Sequence, residues 1–161
     1  MQGEALISLL EESAGKGIHT AIETCGQVPS DIIRRAYALT DLFLFDLKHC
    51  DGRKLKSITG ADIDLILGNL AMLAGSGNVT VRIPCIPGFN LDSESLSGMF
   101  GIAVSMGIRE VHLLPYHILG MDKYEQLQRQ YSLPGEGLAK EVLEPYAAIG
   151  RSMGLNVGIG G

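Results

Sequence analysis

The chain has no tryptophan, few aromatic residues (6%) and only three cysteines. Cys25, Cys50 and Cys85 are an odd, widely spaced set, which excludes a disulfide framework of the kind that staples small secreted domains. A basic excess is also missing. The net charge is −5 and no stripe of Lys and Arg appears, which argues against a general nucleic-acid binder. No apolar run is long enough to span a bilayer, and Met1–Gly15 is acidic and amphipathic rather than signal-like. The expectation is a cytoplasmic protein with neither nucleic acid nor membrane as partner. No Gly-x-Gly-x-x-Gly follows a strand and there is no phosphate loop, so nucleotide binding by those modes is unsupported.

What is present is a 161-residue chain, enough for one domain with a real core, with 21 glycines that fall between segments as turns and helix stops. Periodicity predicts strands at His19–Glu23, Leu42–Lys48, Val79–Ile83, Glu110–Leu114 and Asn156–Ile159. Between them it predicts helices at Glu4–Lys16, Asp31–Leu39 (capped by Ser30), Asp51–Ile58 and from Asp62 to Leu73. Further helices are expected from Asp92 or Ser93 to Met106, over Asp122–Tyr131, and over Gly137–Met153 with a kink at Pro145. The apolar run Leu42–Phe45 reads as a strand buried on both faces. This alternation predicts an α/β fold with a parallel sheet.

Successive strands end in polar or special residues: Glu23-Thr24-Cys25-Gly26, Asp46-Leu47-Lys48, Arg82 to Pro87-Gly88, and Pro115-Tyr116-His117. A parallel sheet places all such ends on one edge, where βα proteins build their sites. Asp46 and Lys48, two apart on an extended backbone, point to the same side. The set Glu23, Thr24, Asp46, Lys48, Arg82 and His117 lacks a nucleophile beside a base, so Ser/His/Asp hydrolysis is poorly supported. Carboxylates hold an ammonium group, while Lys, Arg or a His N–H holds a carboxylate, so the set suits a zwitterionic, amino-acid-like ligand. The structural alternative for each residue taken singly is a strand-end ion pair or a turn histidine bonded to backbone.

Six segments occur in a recognisable order: GEAL at Gly3–Leu6, IETCG at Ile22–Gly26, TDLFLFDLKHCD at Thr40–Asp51, TGAD…ILGNLAML from Thr59 to Leu73, VRIPCIPGFN at Val81–Asn90 and LLPYHILGMDKY at Leu113–Tyr124. Together they resemble the glycyl-radical-enzyme activating enzymes, the pyruvate formate-lyase activating enzyme group of the radical S-adenosylmethionine superfamily. The resemblance implies an incomplete parallel, TIM-like (β/α) barrel of about four barrel strands with flanking helices. It implies an oxidoreductase in which a [4Fe–4S] cluster cleaves S-adenosylmethionine reductively, and the 5′-deoxyadenosyl radical takes a hydrogen atom from a glycine of a partner glycyl-radical enzyme. A reductant such as flavodoxin or ferredoxin is implied as well. By position, Gly3 and Glu4 match the end of a Gly-Gly-Glu motif contacting the methionine amino group. Asp46, Lys48 and His117 match residues around S-adenosylmethionine, and Arg82 matches a strand-end arginine facing the site. Glu23, Thr24 and Asp46, with the Leu44 carbonyl, match a monovalent-cation site.

The sequence departs from that pattern in three places. The cluster motif Cys-x-x-x-Cys-x-x-Cys is absent, Gln2 replaces the first Gly of Gly-Gly-Glu, and Glu23 stands where many members carry Asp. The expectation is that residues 1–161 form a single partial barrel domain. It resembles the C-terminal two-thirds of such an enzyme, with the N-terminal strands missing. On that reading the chain holds no cluster, is inactive by itself, and pairs as a homodimer across its open edge. Two rivals are a TIM-type lyase or isomerase half-barrel using Lys48, and a non-catalytic scaffold that binds a partner chain.

Overall fold

The computed structural model describes residues 3–75, 77–119, 121–128, 130 and 136–160. Helix α1 (Gly3–Gly15) leads into strand β1 (Ala21–Thr24), helix α2 (Ser30–Tyr37) and strand β2 (Leu42–Asp46). Helices α3 (Gly52–Thr59) and α4 (Ile63–Ala74) precede β3 (Val79–Cys85), and α5 (Ser93–Ser105) precedes β4 (Glu110–Pro115). A short α6 (Met121–Gln126), a 3-10 turn (Lys140–Leu143) and α7 (Glu144–Ser152) lead to β5 (Asn156–Ile159). The expected helix over Asp122–Tyr131 is described only as far as α6, and Tyr131 and Gln2 lie outside the described residues.

All five strands pair in parallel, in chain order β1-β2-β3-β4-β5, one more than the barrel estimate of about four. Each crossover carries a helix, and crossovers of one hand in sequential order stack their helices on a single face. The burial pattern records this. Phe43, Phe45, Val81, Ile83, Val111 and Leu113 are buried and join a core with Leu70, Leu96 and Phe100. The alternate positions Leu42, Leu44, Asp46, Thr80, Arg82, His112 and Leu114 are only half-buried. The run Leu42–Phe45 is therefore buried on one face, not both. Four consecutive apolar residues suggested a sheet covered on each side, but one helical layer covers one side.

Local chemistry sets the helix starts. Asp51, Asp62 and Asp92 are N-caps, each accepting backbone N–H groups of the first turn. Those bonds favour the carboxylate, and hold Asp51 and Asp92 below the usual range. Ser30 is not a cap. Pro29 takes that position without a side-chain bond and Ser30 is the first helical residue. Pro145 does not kink a long helix. It sits in the first turn of α7, where its missing N–H has no partner to lose, and the residues before it form the 3-10 turn. Ile7 and Leu10 of α1 are buried, and α1 packs against α2. Among the described residues no single helix is long and apolar enough to cross a membrane.

The turn after β1 is sterically fixed. Gly26 has φ +74°, and a Cβ there would lie 2.5 Å from Phe45 Cζ. Gly26→Ala should therefore combine left-handed backbone strain with overpacking and lower the unfolding free energy by about 2 kcal/mol or more. Denaturant melts check this, and an unchanged midpoint would contradict the geometry.

Candidate functional site

Arg82 stands at the centre of the open face of the sheet. The parallel register sets it opposite Asp46 of β2. Its Nε donates to Asp46 Oδ1 at 2.8 Å. Nη1 and Nη2 donate to Glu23 Oε1 and Oε2 at 2.9 and 3.0 Å. One planar guanidinium thus ties β1, β2 and β3 together, using the fork geometry that lysine lacks. The Arg82 side chain is only 13% exposed, while Asp46 is 24% and Glu23 66% exposed. The hydrogen bonds and charge of Arg82 hold Glu23 below the usual carboxylate range. The bonds to Glu23, followed by those to Asp46, raise Arg82.

Beyond Asp46 the chain continues into Lys48, which is half-buried, and no ion-pair or hydrogen-bond partner for its ammonium occurs among the described residues. Lys48 and Asp46 line a pocket of about 200 Å³ together with Cys25, Gln27, Leu55 and Thr59. His117 follows β4 by two residues and is exposed, on the same C-terminal edge of the sheet. The edge thus carries Glu23, Thr24, Asp46, Lys48, Arg82 and His117. Arg82 directly joins Glu23 and Asp46, while Thr24 Oγ1 turns to accept the Gly26 N–H at 3.1 Å.

Gly3 and Glu4 open helix α1 rather than forming a strand-end turn. Glu4 is taken up by Arg35 of α2, at 2.6 and 2.9 Å on the surface. Gly3 packs over Ile32 and borders a groove of about 460 Å³ shared with Leu9, Ile22, Glu23 and Thr24.

The three thiols sit apart in different surroundings. Cys85 is fully buried at the end of β3, and burial pushes its thiol up to about 12. Cys50 is also raised by burial, donates to the Ser95 carbonyl at 3.5 Å, and lies where a Cβ on Gly98 would be 2.6 Å from its Sγ. Its neighbour His49 is 1% exposed, accepts the Asp51 N–H at 2.9 Å, and meets the Phe89 ring edge-on. That histidine has a packing role. Among the described residues no group of three His, Cys, Asp or Glu side chains is placed to hold a metal.

Sequence reasoning missed two asparagines that shape this edge, Asn69 and Asn90, each fully buried. Asn69 of α4 donates to the carbonyls of Gly26 and Val28 at 2.8 and 2.9 Å, and so holds the loop after β1. Asn90 donates to Lys48 O and Pro84 O, both at 2.8 Å, and accepts the Ile86 N–H at 2.7 Å. The available signal was a polar residue on an apolar helix face: Asn69 is buried alongside Ile66, Leu70 and Leu73.

No family model matches the chain. Individual relatives do. The trans-4-hydroxy-L-proline dehydratase activating enzyme of Clostridioides difficile is 40% identical over 152 residues, covering 91% of this chain and 50% of the relative. The choline trimethylamine-lyase activating enzyme of Oleidesulfovibrio alaskensis is 37% identical over 84% of this chain and 45% of the relative. The pyruvate formate-lyase 2-activating enzyme of Escherichia coli K12 is 34% identical over the whole chain and 56% of the relative. Among solved structures, a domain of pyruvate-formate lyase-activating enzyme from Bacteroides vulgatus superposes with a TM-score of 0.79 at 26% identity, covering 99% of this chain and 91% of that one. A radical S-adenosylmethionine methyltransferase from Sphaerobacter thermophilus shares the fold, with a TM-score of 0.63 at 15% identity over 93% of this chain and 43% of that one. The curated homologues of the chain are glycyl-radical-enzyme activating enzymes at 34–40% identity, and the chain spans about half the length of the relatives it matches. Neither the lyase or isomerase half-barrel nor the non-catalytic scaffold is favoured by these matches.

The Arg82 bridge has a pH signature. Glu23 is lowered on folding, so below its ordinary range the unfolded chain binds the proton first and folding loses ground. The stabilisation is complete above about pH 4.3, the ordinary glutamate value, and fades as pH falls through the lower folded value. Glu23→Gln should flatten this part of the acid stability curve. A curve of unchanged slope in that variant would contradict the bridge.

Proposed function

We propose that this chain supplies the substrate-gripping strand ends of a glycyl-radical-enzyme activating protein, with Asp46, Lys48 and His117 placed around S-adenosylmethionine. The observation that supports this is the unpartnered Lys48 ammonium, next to a carboxylate and an arginine, on an edge where parallel strands end. A zwitterionic amino-acid moiety needs a cation for its carboxylate, and Lys48 is available in a way that Arg82 is not. Asp46 keeps carboxylate lone pairs beyond the single oxygen that meets Arg82 Nε, and His117 can present a ring nitrogen. Gly3 and Glu4 retain the assignment to the methionine amino group only if Glu4 leaves Arg35.

The fit to the implied cofactors differs between them. The donor chemistry of the edge suits S-adenosylmethionine. An iron–sulfur cluster needs closely placed thiolates. Cys25, Cys50 and Cys85 do not provide them, since two are raised by burial and packed against backbone or carbon. The cluster that supplies the reductive chemistry in this family is therefore not assigned to these residues. The monovalent-cation site fits poorly for a similar reason. Arg82 already occupies both carboxylate oxygens of Glu23 and one of Asp46, and Thr24 accepts the Gly26 amide, so an added cation would compete with a guanidinium for its ligands.

On this proposal residues 1–161 form one partial barrel domain. A glycyl-radical enzyme is the partner of the complete activity, with a flavodoxin- or ferredoxin-like reductant, in the cytoplasm. Among the described residues no strand pairs with the outer edge of β1, and a two-fold homodimer of this chain through that edge is part of the same proposal.

Calorimetric titration with S-adenosylmethionine tests the ligand assignment. Binding should be weak, about millimolar or roughly −4 kcal/mol, because the metal that would hold the amino and carboxylate groups is not bound by these residues. Lys48→Ala should abolish measurable heat. Equal binding by the variant would overturn the assignment.

A further inference from the structure

The β2–β3 ladder changes character just where the ligand edge begins. Up to Asp46 the strands are joined by backbone bonds, the last being Leu47 N–H to Arg82 O at 2.9 Å. The next donor on β3 in that register would be residue 84, and Pro84 has no N–H to give. The rung lost is the one that would reach Leu47 O, so the backbone ladder ends here. Just past that end the Asn90 side chain bridges the two segments through the carbonyls of Lys48 and Pro84. Its Nδ2 donates to both carbonyls, and its Oδ1 accepts from Ile86, so every polar atom of the carboxamide is used inside a fully buried site. Asn90 is itself fixed by the loop it closes. The amides of Phe89, Asn90 and Leu91 all donate to Ile86 O, and Gly88 turns the chain at φ +76°.

We propose that Asn90 is a positioning residue for ligand binding: by tying the Lys48 carbonyl to the Pro84 carbonyl where the backbone ladder ends, it fixes the backbone of Lys48 and aims its ammonium along the strand-end edge. This rests on the reading of Lys48 as a ligand residue. Asn90 does not touch the ligand in this scheme. It acts through Lys48, whose side chain inherits its direction from a backbone held at 2.8 Å. A buried carboxamide with all its bonds made is well suited to this, because its loss leaves two carbonyls unsatisfied and a loop free to shift.

The wild-type chain gives the first test. By NMR, the Asn90 carboxamide protons should exchange with solvent on the order of a hundredfold more slowly than a free carboxamide, since they open only with the surrounding core. Exchange at the free rate would overturn the clamp. The second test is a double-mutant cycle on S-adenosylmethionine affinity, read from chemical-shift titrations of wild type, Asn90→Ser, Lys48→Ala and the pair. Each single variant should weaken binding by about tenfold or more. The pair should be no weaker than the weaker single variant, because the two residues act as one unit. Losses that multiply would show a general structural defect and overturn the proposal. Affinity lost in Lys48→Ala but kept in Asn90→Ser would overturn the proposal alone. Affinity unchanged in Lys48→Ala would overturn the ligand role of Lys48, and the proposal with it. If Asn90→Ser does not fold, Asn90→Asp, which keeps the acceptor for the Ile86 amide, takes its place. If neither folds, the carboxamide exchange rate in the wild type decides.

Discussion

The guanidinium of Arg82 is the contact on which the geometry of the strand-end edge depends. It reaches across two neighbouring strands at once, meeting Asp46 Oδ1 through Nε and Nη2 and Glu23 through Nη1 and Nη2. Three charged groups on one half-open sheet face would otherwise compete for water and splay the strand ends. Joined in this way, they give the ends of β1, β2 and β3 a common reference. The arginine is available for this because β3 alternates strictly, with Val81 and Ile83 under the helices and Thr80 and Arg82 on the other face.

The consequence is a division of labour along the edge. Arg82 is committed to the two carboxylates, whereas Lys48, with no partner among the described residues, is open to an anionic group. The loops that carry these residues are held by neutral amides rather than by more charge. Asn69 grips the loop after β1 and Asn90 the loop after β2, both from fully buried positions. Neutral clamps suit this place. A buried charge would need its own partner and would perturb the ligand-facing groups, whereas a carboxamide satisfies carbonyls without adding to the field. Two of the three thiols stand apart from this edge: Cys85 and Cys50 pack into the core, while Cys25 lines the pocket beside Asp46 and Lys48.

Much of this was legible in the sequence, for reasons that can be traced to particular residues. Strand–helix alternation and the strand-end polar residues gave the parallel sheet and its edge, because period-two alternation and glycine stops are local signals. Asp51, Asp62 and Asp92 could be placed at helix starts because an N-cap is a short-range bond. What was not legible depends on three-dimensional packing. The number of faces covered over Leu42–Phe45 follows from strand order, not from the run itself. Whether Pro145 bends or begins a helix depends on what precedes it, and Ser30 looked like a cap until Pro29 took the position. The roles of Asn69 and Asn90 required knowing which carbonyls lie within 3 Å of them, across 41 or 43 residues in one case and 42 in the other.

The central claim is that this edge, and not the larger apolar groove between α1 and β1, receives S-adenosylmethionine. Residue-resolved NMR during titration tests it most directly. The account predicts that the first and largest shifts fall on the backbone from Asp46 to His49 and at His117, with Asn90 following and the groove residues Leu9 and Ile32 unmoved. Shifts centred on Leu9, Ile22 and Ile32, with Lys48 and His117 unchanged, would contradict it.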